Sequence, residues 1–334
     1  MIKSVIGIGN ALTDMLVNIS SDEVLSEYGL SKGSMSLVDG ELQTAISKSV
    51  AGAPHSLSLG GSAGNTIRCM SRLGTRVGFI GKVGNDGTGE FYEQALRNVG
   101  VEPFILHSDK RSGKCLSLVS ADGERTLVTY LGAAADMHKV DISEAMFEGY
   151  DCLYVEGYLV QDHELIRTTI ERARARGLRV ALDLASFNVV EENREFLRAL
   201  VKDGVDIIFA NEDEARAFTG EAEPEAALHH IAAMCELAVV KIGMRGALIK
   251  RGDEQLHVGI MEAAKRVDTT GAGDFYAAGF LAALCEGLDL RQCGTLGAVA
   301  AGKVIEVVGT TFGEEAWSEI FRLYDEVRSR SLLF

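Results

Sequence analysis

Short apolar runs alternate along the chain with longer segments in which apolar residues recur every three or four positions. The runs are bounded by glycines and polar residues, and they predict buried strands at 5–9, 77–80, 152–155, 180–184, 207–210 and 238–242. The periodic segments predict helices at 65–73, 89–99, 163–176 and 215–236, the last with a break near Pro224. Regular alternation of strand and helix indicates an α/β fold whose mostly parallel central sheet is flanked by helices.

Two segments depart from this rhythm and alternate apolar with polar residues. Residues 15–38 and 114–131 show this two-residue period, which predicts strands with one exposed face. Ala121-Asp122-Gly123 is a hairpin signal inside the second segment. We therefore expect a small antiparallel β lid at 14–38 and 111–132, inserted into a large domain formed by 1–13, 39–110 and 133–334.

Composition narrows the class of protein. The chain has 334 residues, of which 47% are hydrophobic, and this is enough for such a domain and lid. A formal net charge of −15 disfavours nucleic acid and anionic membranes as partners. No apolar run approaches the ~20 residues of a membrane span and the first ten residues do not resemble a signal peptide, so we expect a cytoplasmic protein. The six cysteines form no C-x-x-C pair and are expected to be reduced.

Polar and glycine residues with candidate chemistry follow predicted strands or begin predicted helices. They are Asn10, Asp14, the segment 60–65, Asn211, Glu214 and the segment 271–274. In open α/β sheets, ligands bind where the carboxyl ends of the strands meet helix N-termini. The sequence therefore predicts one binding site at this edge of the sheet.

Gly271-Ala272-Gly273-Asp274 begins an apolar helix and is the most informative stretch. Its glycines allow a ligand to approach the backbone N–H groups, and the helix N-terminus favours an anion such as phosphate. The same field is expected to favour the ionised form of Asp274, which would suit a general base in phosphoryl transfer. From this tetrapeptide alone, a helix cap by Asp274, assisted by Thr269 and Thr270, is an equally good explanation.

Other nucleotide and hydrolase motifs do not fit the sequence. The chain has no G-x-x-x-x-G-K-[ST] P-loop, and Leu12 stands where the dinucleotide fingerprint that begins at Gly7-Ile8-Gly9 requires a third glycine. It also has no serine nucleophile elbow. A dehydrogenase is disfavoured for the same reason.

A resemblance to a known family covers nearly the whole chain. It is carried by Gly9-Asn10-Ala11-Leu12-Thr13-Asp14, Gly60-Gly61-Ser62-Ala63-Gly64-Asn65-Thr66, Gly81-Lys82-Val83-Gly84-Asn85-Asp86, Gly123-Glu124-Arg125-Thr126, Asn211-Glu212-Asp213-Glu214 and Asp268-Thr269-Thr270-Gly271-Ala272-Gly273-Asp274. On these residues the chain resembles the ribokinase-like PfkB family of sugar and nucleoside kinases, and most of all its adenosine-kinase-like branch. The resemblance implies a three-layer ribokinase-like fold and an ATP-dependent kinase.

The resemblance also implies roles for the matching positions. Asp274 matches the general base that deprotonates the substrate hydroxyl, and Gly271, Ala272 and Gly273 match the anion hole. Asp14 matches the carboxylate that holds neighbouring sugar hydroxyls, which suits an acceptor of two hydrogen bonds. The other substrate-binding positions are Asn10, Gly60, Gly61, Asn65, Arg125 and Glu156. A turn residue, a helix-start residue and a solvated surface residue remain alternative explanations for Asn10, Asn65 and Arg125.

ATP and Mg²⁺ are the cofactors that the resemblance implies. The nucleotide positions are Asn211, Lys241, Gly243, Gly246, Gly271 and Gly273, and Mg²⁺ is expected near Glu214 and Asp183, partly through water. A helix cap would give Asn211 and Glu214 the same spacing. Lys241 stands where Thr or Ser is frequent, and Asp183 stands where many relatives have Asn. Asp268 and Thr270 offer carbonyl oxygens to a monovalent cation such as K⁺, which some relatives bind.

The substrate is less well specified than the reaction. Apolar lid residues and a stacking ring favour a nucleoside such as adenosine, phosphorylated on a hydroxymethyl hydroxyl; these residues are Met15, Leu16, Val17, Met35, Leu37, Cys115, Leu116 and Tyr158. A polar site that uses Glu156 would instead favour fructose or a related sugar. A non-catalytic sugar or nucleotide sensor on the same fold stays open as another class. The lid strands are expected either to cover their own site or to pair in a homodimer.

Overall fold

The computed structural model describes residues 2–122, 124–263 and 265–334. The strands in these residues are β1 (Ser4–Ile8), β2 (Leu12–Asn18), β3 (Met35–Leu37), β4 (His55–Leu59), β5 (Arg76–Gly84), β6 (Glu102–Ser108), β7 (Gly113–Val119), β8 (Arg125–Tyr130), β9 (Cys152–Glu156), β10 (Arg179–Asp183), β11 (Ile207–Asn211), β12 (Leu237–Lys241), β13 (Ala247–Arg251) and β14 (Glu254–Val258). The α-helices are α1 (Glu23–Glu27), α2 (Gly40–Ser49), α3 (Ser62–Arg72), α4 (Gly87–Asn98), α5 (His163–Ala175), α6 (Phe187–Glu192), α7 (Arg194–Gly204), α8 (Glu212–Thr219), α9 (Pro224–Ala232), α10 (Ala272–Cys285), α11 (Leu290–Val304) and α12 (Glu314–Arg328).

The large sheet has the strand order β14-β13-β12-β11-β10-β9-β1-β5-β6. All neighbours from β12 to β6 pair in parallel, whereas β13 and β14 add antiparallel strands at one edge. The central strands are buried on both faces, which explains why they are continuous apolar runs in the sequence. The predicted mostly parallel sheet is therefore confirmed.

Helices cover both faces of this sheet and give the domain three layers. One apolar core includes side chains of α3, α4, α10, α11 and α12, and the other includes side chains of α5 to α9. Helix α10 is buried from Phe275 to Ala283 and packs against both α3 and α11, as an almost wholly apolar helix requires. The break predicted near Pro224 is the boundary between α8 and α9, with Pro224 in the first turn of α9.

The lid is a five-stranded sheet in the order β3-β8-β7-β2-β4. The expectation of an antiparallel lid is corrected, because β2 pairs in parallel with β7, and β3 pairs in parallel with β8. Only the β7–β8 hairpin and the β2–β4 pair are antiparallel. Gly123, the last residue of the predicted hairpin turn, lies outside the described residues.

The lid also includes chain that the sequence analysis placed in the large domain. Strand β4 pairs with β2, and Ile46 and Val50, from α2 and the residue after it, pack in the core of the lid. The segment 15–38 is likewise not all strand, because α1 interrupts it. The segment from α2 to β4 therefore belongs with the lid, because Leu42, Ile46, Val50 and Ala53 pack in its core and β4 extends its sheet.

Across the described ranges, no helix is both long enough and apolar enough to cross a membrane. The six cysteines are free thiols, as expected. Homodimer formation through the lid remains a prediction.

Candidate active site

The N-terminus of α10 lies at the carboxyl edge of the large sheet. Gly271 precedes it with a φ of 77°, in the left-handed region that favours glycine. A Cβ at this position would also lie 2.6 Å from Cγ2 of Thr310. The turn therefore requires a glycine, and Gly271, Ala272 and Gly273 line a neighbouring cavity at this helix end, where the N–H of Ala272 also donates to the carbonyl of Thr269 at 3.2 Å.

Asp274 lies in the first turn of α10 and is held by two side chains of α3. The hydroxyl of Ser62 donates to its Oδ1 at 2.7 Å, and Nδ2 of Asn65 donates to its Oδ2 at 2.9 Å. Ser62 and Asn65 are three residues apart and thus share one face of α3. The carboxylate is fixed by these donors and also borders the cavity, so it is not turned into the protein interior.

Burial raises the pKa of Asp274 to about 7, and the nearby negative charge of Asp183 acts in the same direction. The donors Ser62 and Asn65 and the positive charge of Lys241 oppose this shift but do not outweigh it. The expectation that the helix field keeps Asp274 readily ionised is therefore corrected. A carboxyl with a pKa near neutrality is nonetheless well matched to a general base at physiological pH.

Asn65 is itself held in place by a network that the sequence analysis did not identify. Its Oδ1 accepts from the guanidinium of Arg68 at 2.6 Å and from Oγ1 of Thr310 at 3.1 Å. Arg68 also donates to the carbonyl of Leu59 at 2.9 Å. The spacing of three residues between Asn65 and Arg68 could have indicated this contact, because residues three apart lie on the same face of a helix. Arg68 thereby supports the residue that orients Asp274.

Glu156 occupies the floor of the site and joins three segments of the chain. Its Oε1 accepts from Nδ2 of Asn10 at 2.6 Å, and its Oε2 accepts from the backbone N–H of Ala63 at 3.0 Å. Glu156 is only 2% exposed. Its role as a ligand of a free sugar stays a prediction, and both carboxylate oxygens already accept hydrogen bonds inside the protein. Asn10 follows β1 as expected, but its amide group supports the floor.

Asp14 lies on the lid directly over the glycines that precede α3. A Cβ at Gly60 would lie 2.2 Å from Oδ1 of Asp14, so the two residues are in close contact. Gly61 has a φ of 82°, and a Cβ there would lie 2.2 Å from the carbonyl oxygen of Asn10. Burial raises the pKa of Asp14 to about 6, and the positive charges of Arg68 and Arg125 act against this. The carboxylate is thus held close to the start of α3.

Arg125, at the beginning of β8, connects the lid to the large domain. Its guanidinium pairs with the carboxylate of Asp268 and lies 3.3 Å from Oγ1 of Thr270, while its Nε donates to Ser117 at 2.9 Å. Asp268 also accepts from the backbone N–H of Gly309 at 2.7 Å. Arg125 is therefore not a free surface residue, and the side chain of Asp268 is fully engaged by protein donors.

A cavity of about 840 Å³ extends from Ser62 and Asp274 away from the lid. Its lining includes apolar residues from α11 and from the segment before α10, with the charged residues Glu262 and Arg266 beside them; the apolar residues are Ile260, Met261, Ala298, Ala301 and Ile305. Gly243 and Gly246 line it too, and a Cβ at Gly246 would lie 2.1 Å from the carbonyl oxygen of Val258. The size and the mixed lining suit a ligand with an apolar ring at one end and charge at the other. Sequence reasoning missed these apolar residues because they belong to no motif.

The polar side of this cavity carries Asn211, Glu214, Asp183 and Lys241. Asn211 and Glu214 form a capping box at the start of α8, in which the backbone N–H of Asn211 donates to Oε2 of Glu214 at 2.8 Å and Nδ2 donates to Oε1 at 2.6 Å. Burial raises the pKa of Glu214 to about 7. The helix cap that the sequence analysis gave as an alternative for Asn211 and Glu214 is therefore present. Both carboxylate oxygens of Glu214 already accept hydrogen bonds from Asn211.

The donor set restricts how a metal ion would be held. No group of three or more His, Cys, Asp and Glu residues in the described parts of the chain could enclose a metal ion. Asp183 and Asn211 line the cavity, but neither belongs to such a group within the described residues. Such a set fits Mg²⁺, which typically keeps several waters and combines one or two protein ligands with phosphate oxygens.

The lid places apolar residues on the same face as Asp14. Side chains alternate along strands, and the pairing of β2, β7, β8 and β3 puts four of the predicted residues on that face, namely Leu16, Met35, Leu37 and Cys115. Met35 and Leu37 are 51% and 56% exposed. The other predicted members are corrected: Met15, Val17 and Leu116 pack in the core of the lid. Tyr158 is half-buried in the turn after β9.

Known proteins are similar to this chain both in sequence and in structure. A family model described as pfkB family carbohydrate kinase matches residues 41–317. The crystal structure of adenosine kinase from Sinorhizobium meliloti is similar with a TM-score of 0.86 and 33% identity, and the match covers 97% of this chain and 100% of that one. A probable sugar kinase from Rhizobium etli gives the same TM-score of 0.86 at 31% identity, over 97% and 99% of the two chains. The adenosine kinase of Saccharomyces cerevisiae is 28% identical, in an alignment that covers 94% of this chain and 98% of the relative.

Proposed function

This chain belongs to the pfkB family of carbohydrate kinases, and we propose that it transfers the γ-phosphoryl group of MgATP to a hydroxymethyl hydroxyl of a nucleoside such as adenosine. At the coarser level it is a phosphotransferase that acts on an alcohol group of a sugar or nucleoside. The observation that carries the finer proposal is the carboxylate of Asp274, which Ser62 and Asn65 hold beside the N-terminus of α10.

The proposed reaction uses both features of this helix end. Asp274 accepts the proton of the acceptor hydroxyl, whose oxygen forms a bond to the γ-phosphorus while the bond from phosphorus to the bridging oxygen breaks and ADP leaves. The backbone N–H groups at 271–273 stabilise the negative charge of the transferred group. Kinases of this family use ATP and Mg²⁺, and the bound ion neutralises phosphate charge. Asn211 would contact it through water and Glu214 would position Asn211, whereas both oxygens of Asp183 already accept hydrogen bonds from Ala185 and Lys241.

The acceptor is proposed to lie between the lid and the start of α3. Asp14 would accept hydrogen bonds from two neighbouring ribose hydroxyls, close to Gly60 and Gly61. Leu16, Met35 and Leu37 would cover the base, which explains why large apolar side chains stay exposed on this face of the lid. Adenosine kinases among the similar proteins support the nucleoside assignment.

A sugar such as fructose is the second candidate. It is supported by the similarity to a probable sugar kinase at 31% identity. Arg125 would in either case carry its charge toward the phosphates if it leaves Asp268. A monovalent cation near Asp268 and Thr270 remains a prediction and would have to use backbone oxygens, because Arg125, Thr270 and Gly309 occupy the carboxylate of Asp268.

The decisive experiment combines a substrate screen with one variant. Purified protein with MgATP should release ADP with adenosine or another nucleoside, and turnover of fructose without any nucleoside activity would reject the nucleoside assignment. Asp274→Asn should lower kcat by at least about 10²-fold, the scale of a general base, and leave ligand binding within a few-fold. Asp253→Asn, in an exposed turn, is the matched control and should not change kcat. Equal kcat in the Asp274→Asn variant and the wild type would refute the role of Asp274.

A further inference from the structure

Lys241 and Asp183 form an ion pair inside the cavity, although their positions are far apart in the sequence. Lys241 ends β12 and Asp183 ends β10, two strands away in the sheet. Nζ of Lys241 lies 3.2 Å from Oδ2 of Asp183, and the two side chains are only 15% and 7% exposed. Both residues line the cavity that reaches Asp274.

The ammonium group lies against the first turn of α10. A Cβ on Gly273 would lie 3.1 Å from Nζ of Lys241, so no side chain separates the ammonium from this helix end. The N-terminus of a helix carries partial positive charge. Both groups therefore attract an anion to the same part of the cavity, where the carboxylates of Asp183, Glu214 and Asp274 already offset part of the ammonium charge.

Asp183 accounts for only part of the hydrogen bonding of Lys241. An ammonium group has three N–H donors, and the contact with Asp183 uses one of them. The other oxygen of Asp183 accepts from the backbone N–H of Ala185 at 3.0 Å, which fixes the carboxylate in one orientation. A buried ion pair contributes little to stability on average compared with a neutral pair of similar volume, so stability alone does not account for these charges.

We propose that Lys241 binds the phosphate chain of the nucleotide at 271–273 and neutralises charge on the transferred phosphoryl group, and that Asp183 is the positioning residue that holds its ammonium there. This inference rests on the proposed function, because it assumes that phosphates occupy this end of the cavity. It assigns to Lys241 a catalytic role, since its donors would touch the reacting group. Asp183 acts only through Lys241.

The test is a double-mutant cycle with Lys241→Met and Asp183→Asn, each of nearly the same shape as the original residue. Lys241→Met should weaken ADP binding by about 10–100-fold, because it removes a charge-assisted contact and leaves Asp183 to repel phosphate. It should lower kcat at saturating ATP by about 10²-fold, the scale of one transition-state donor. Binding of the acceptor alcohol should stay within threefold, which separates a phosphate contact from general damage to the site. Calorimetry and steady-state kinetics give these quantities.

The double variant carries the diagnostic result. Without both charges, the affinity for ADP should recover at least about tenfold relative to Lys241→Met, because the unpaired carboxylate is gone. If Lys241→Met does not fold, the charge of Lys241 is tested by comparing the ADP affinity of Asp183→Asn with that of the double variant. These two proteins differ only at residue 241, and neither has an unpaired carboxylate at residue 183. Lys250→Met, on the neighbouring strand β13 and outside the cavity lining, is the control and should bind ADP like the wild type.

Three outcomes would overturn the inference. They are ADP affinity within threefold of the wild type in Lys241→Met, equal loss of ADP and acceptor binding, and additive effects of the two substitutions on ADP affinity. If the wild-type protein phosphorylates no alcohol at all, the proposed function is wrong. If it does and the cycle is additive, only the role of this pair is wrong.

Discussion

Removing the hydroxyl of Ser62 should move the acid limb of the pH profile. Ser62 donates to Oδ1 of Asp274 at 2.7 Å, and this bond favours the ionised carboxylate. Because a base must be ionised to act, activity should fall as the pH drops below the pKa of Asp274, which is about 7. Loss of a donor to an anion raises its pKa, so Ser62→Ala should shift this limb toward higher pH.

The size of the shift follows from the energy of the hydrogen bond. A hydrogen bond to a charged group contributes about 1.5–3 kcal/mol, and one pKa unit corresponds to about 1.4 kcal/mol. Because Asp274 borders the cavity, water will partly replace the hydroxyl, and we expect a shift of about one unit. At pH 6 the ionised fraction of Asp274 would then fall from about one-tenth to about one-hundredth. At pH 9 the two proteins should differ little.

The assay is the pH dependence of kcat/KM for the acceptor at saturating MgATP, which reports groups of the enzyme–MgATP complex before the acceptor binds. Ser71→Ala is a matched control on the same helix, since the hydroxyl of Ser71 donates to the carbonyl of Val99 at 2.6 Å, far along the helix from the site. An acid limb at the same pH in Ser62→Ala and wild type would refute the reasoning. An equal shift in Ser71→Ala would attribute the effect to α3 as a whole.

Two further predictions concern the acceptor side of the site. Gly61→Ala should lower the free energy of unfolding, measured by chemical denaturation, by about 2 kcal/mol or more, because the φ of Gly61 is 82° and a Cβ would lie 2.2 Å from the carbonyl oxygen of Asn10. Gly52→Ala is the control and should change this free energy little, since Gly52 has open space around it. Asp14→Asn should raise KM for a nucleoside about 10²-fold and much less for its 2′,3′-dideoxy analogue, since only the former offers the hydroxyls; an equal increase for both would contradict the diol contact.

The strands of the large sheet could be predicted because each is buried on both faces. Strand β1 and strand β9 read as short apolar runs, and the structure ends each within one residue of the predicted position. The lid was harder to predict. Strand β4 has the sequence HSLSL and is mostly exposed, so burial leaves no strong pattern in it. Parallel pairing of β2 with β7 joins segments about 100 residues apart, which local turn signals do not report.

The site was predictable at the level of which residues meet, but less so at the level of what each does. Asp274 and Asn65 come together because both begin helices at the same sheet edge. Glu156 follows the same rule, yet its carboxylate accepts hydrogen bonds from Asn10 and Ala63 inside the protein, which only the structure reveals. The pKa of Asp274 was misjudged because burial depends on tertiary packing, which a helix-end argument does not include.

Glu156 fastens the ends of β1 and β9 to the start of α3, whereas the residues proposed to select the acceptor lie on lid strands. The residues that support the pocket and the residues proposed to select the acceptor thus belong to separate parts of the chain. A change of acceptor can then arise by substitution of a few lid side chains such as Met35 and Leu37, without disturbing the hydrogen bonds of Glu156 beneath the pocket. Such modularity would let evolution, or an engineer, retarget this scaffold from one alcohol to another at little risk to its chemistry.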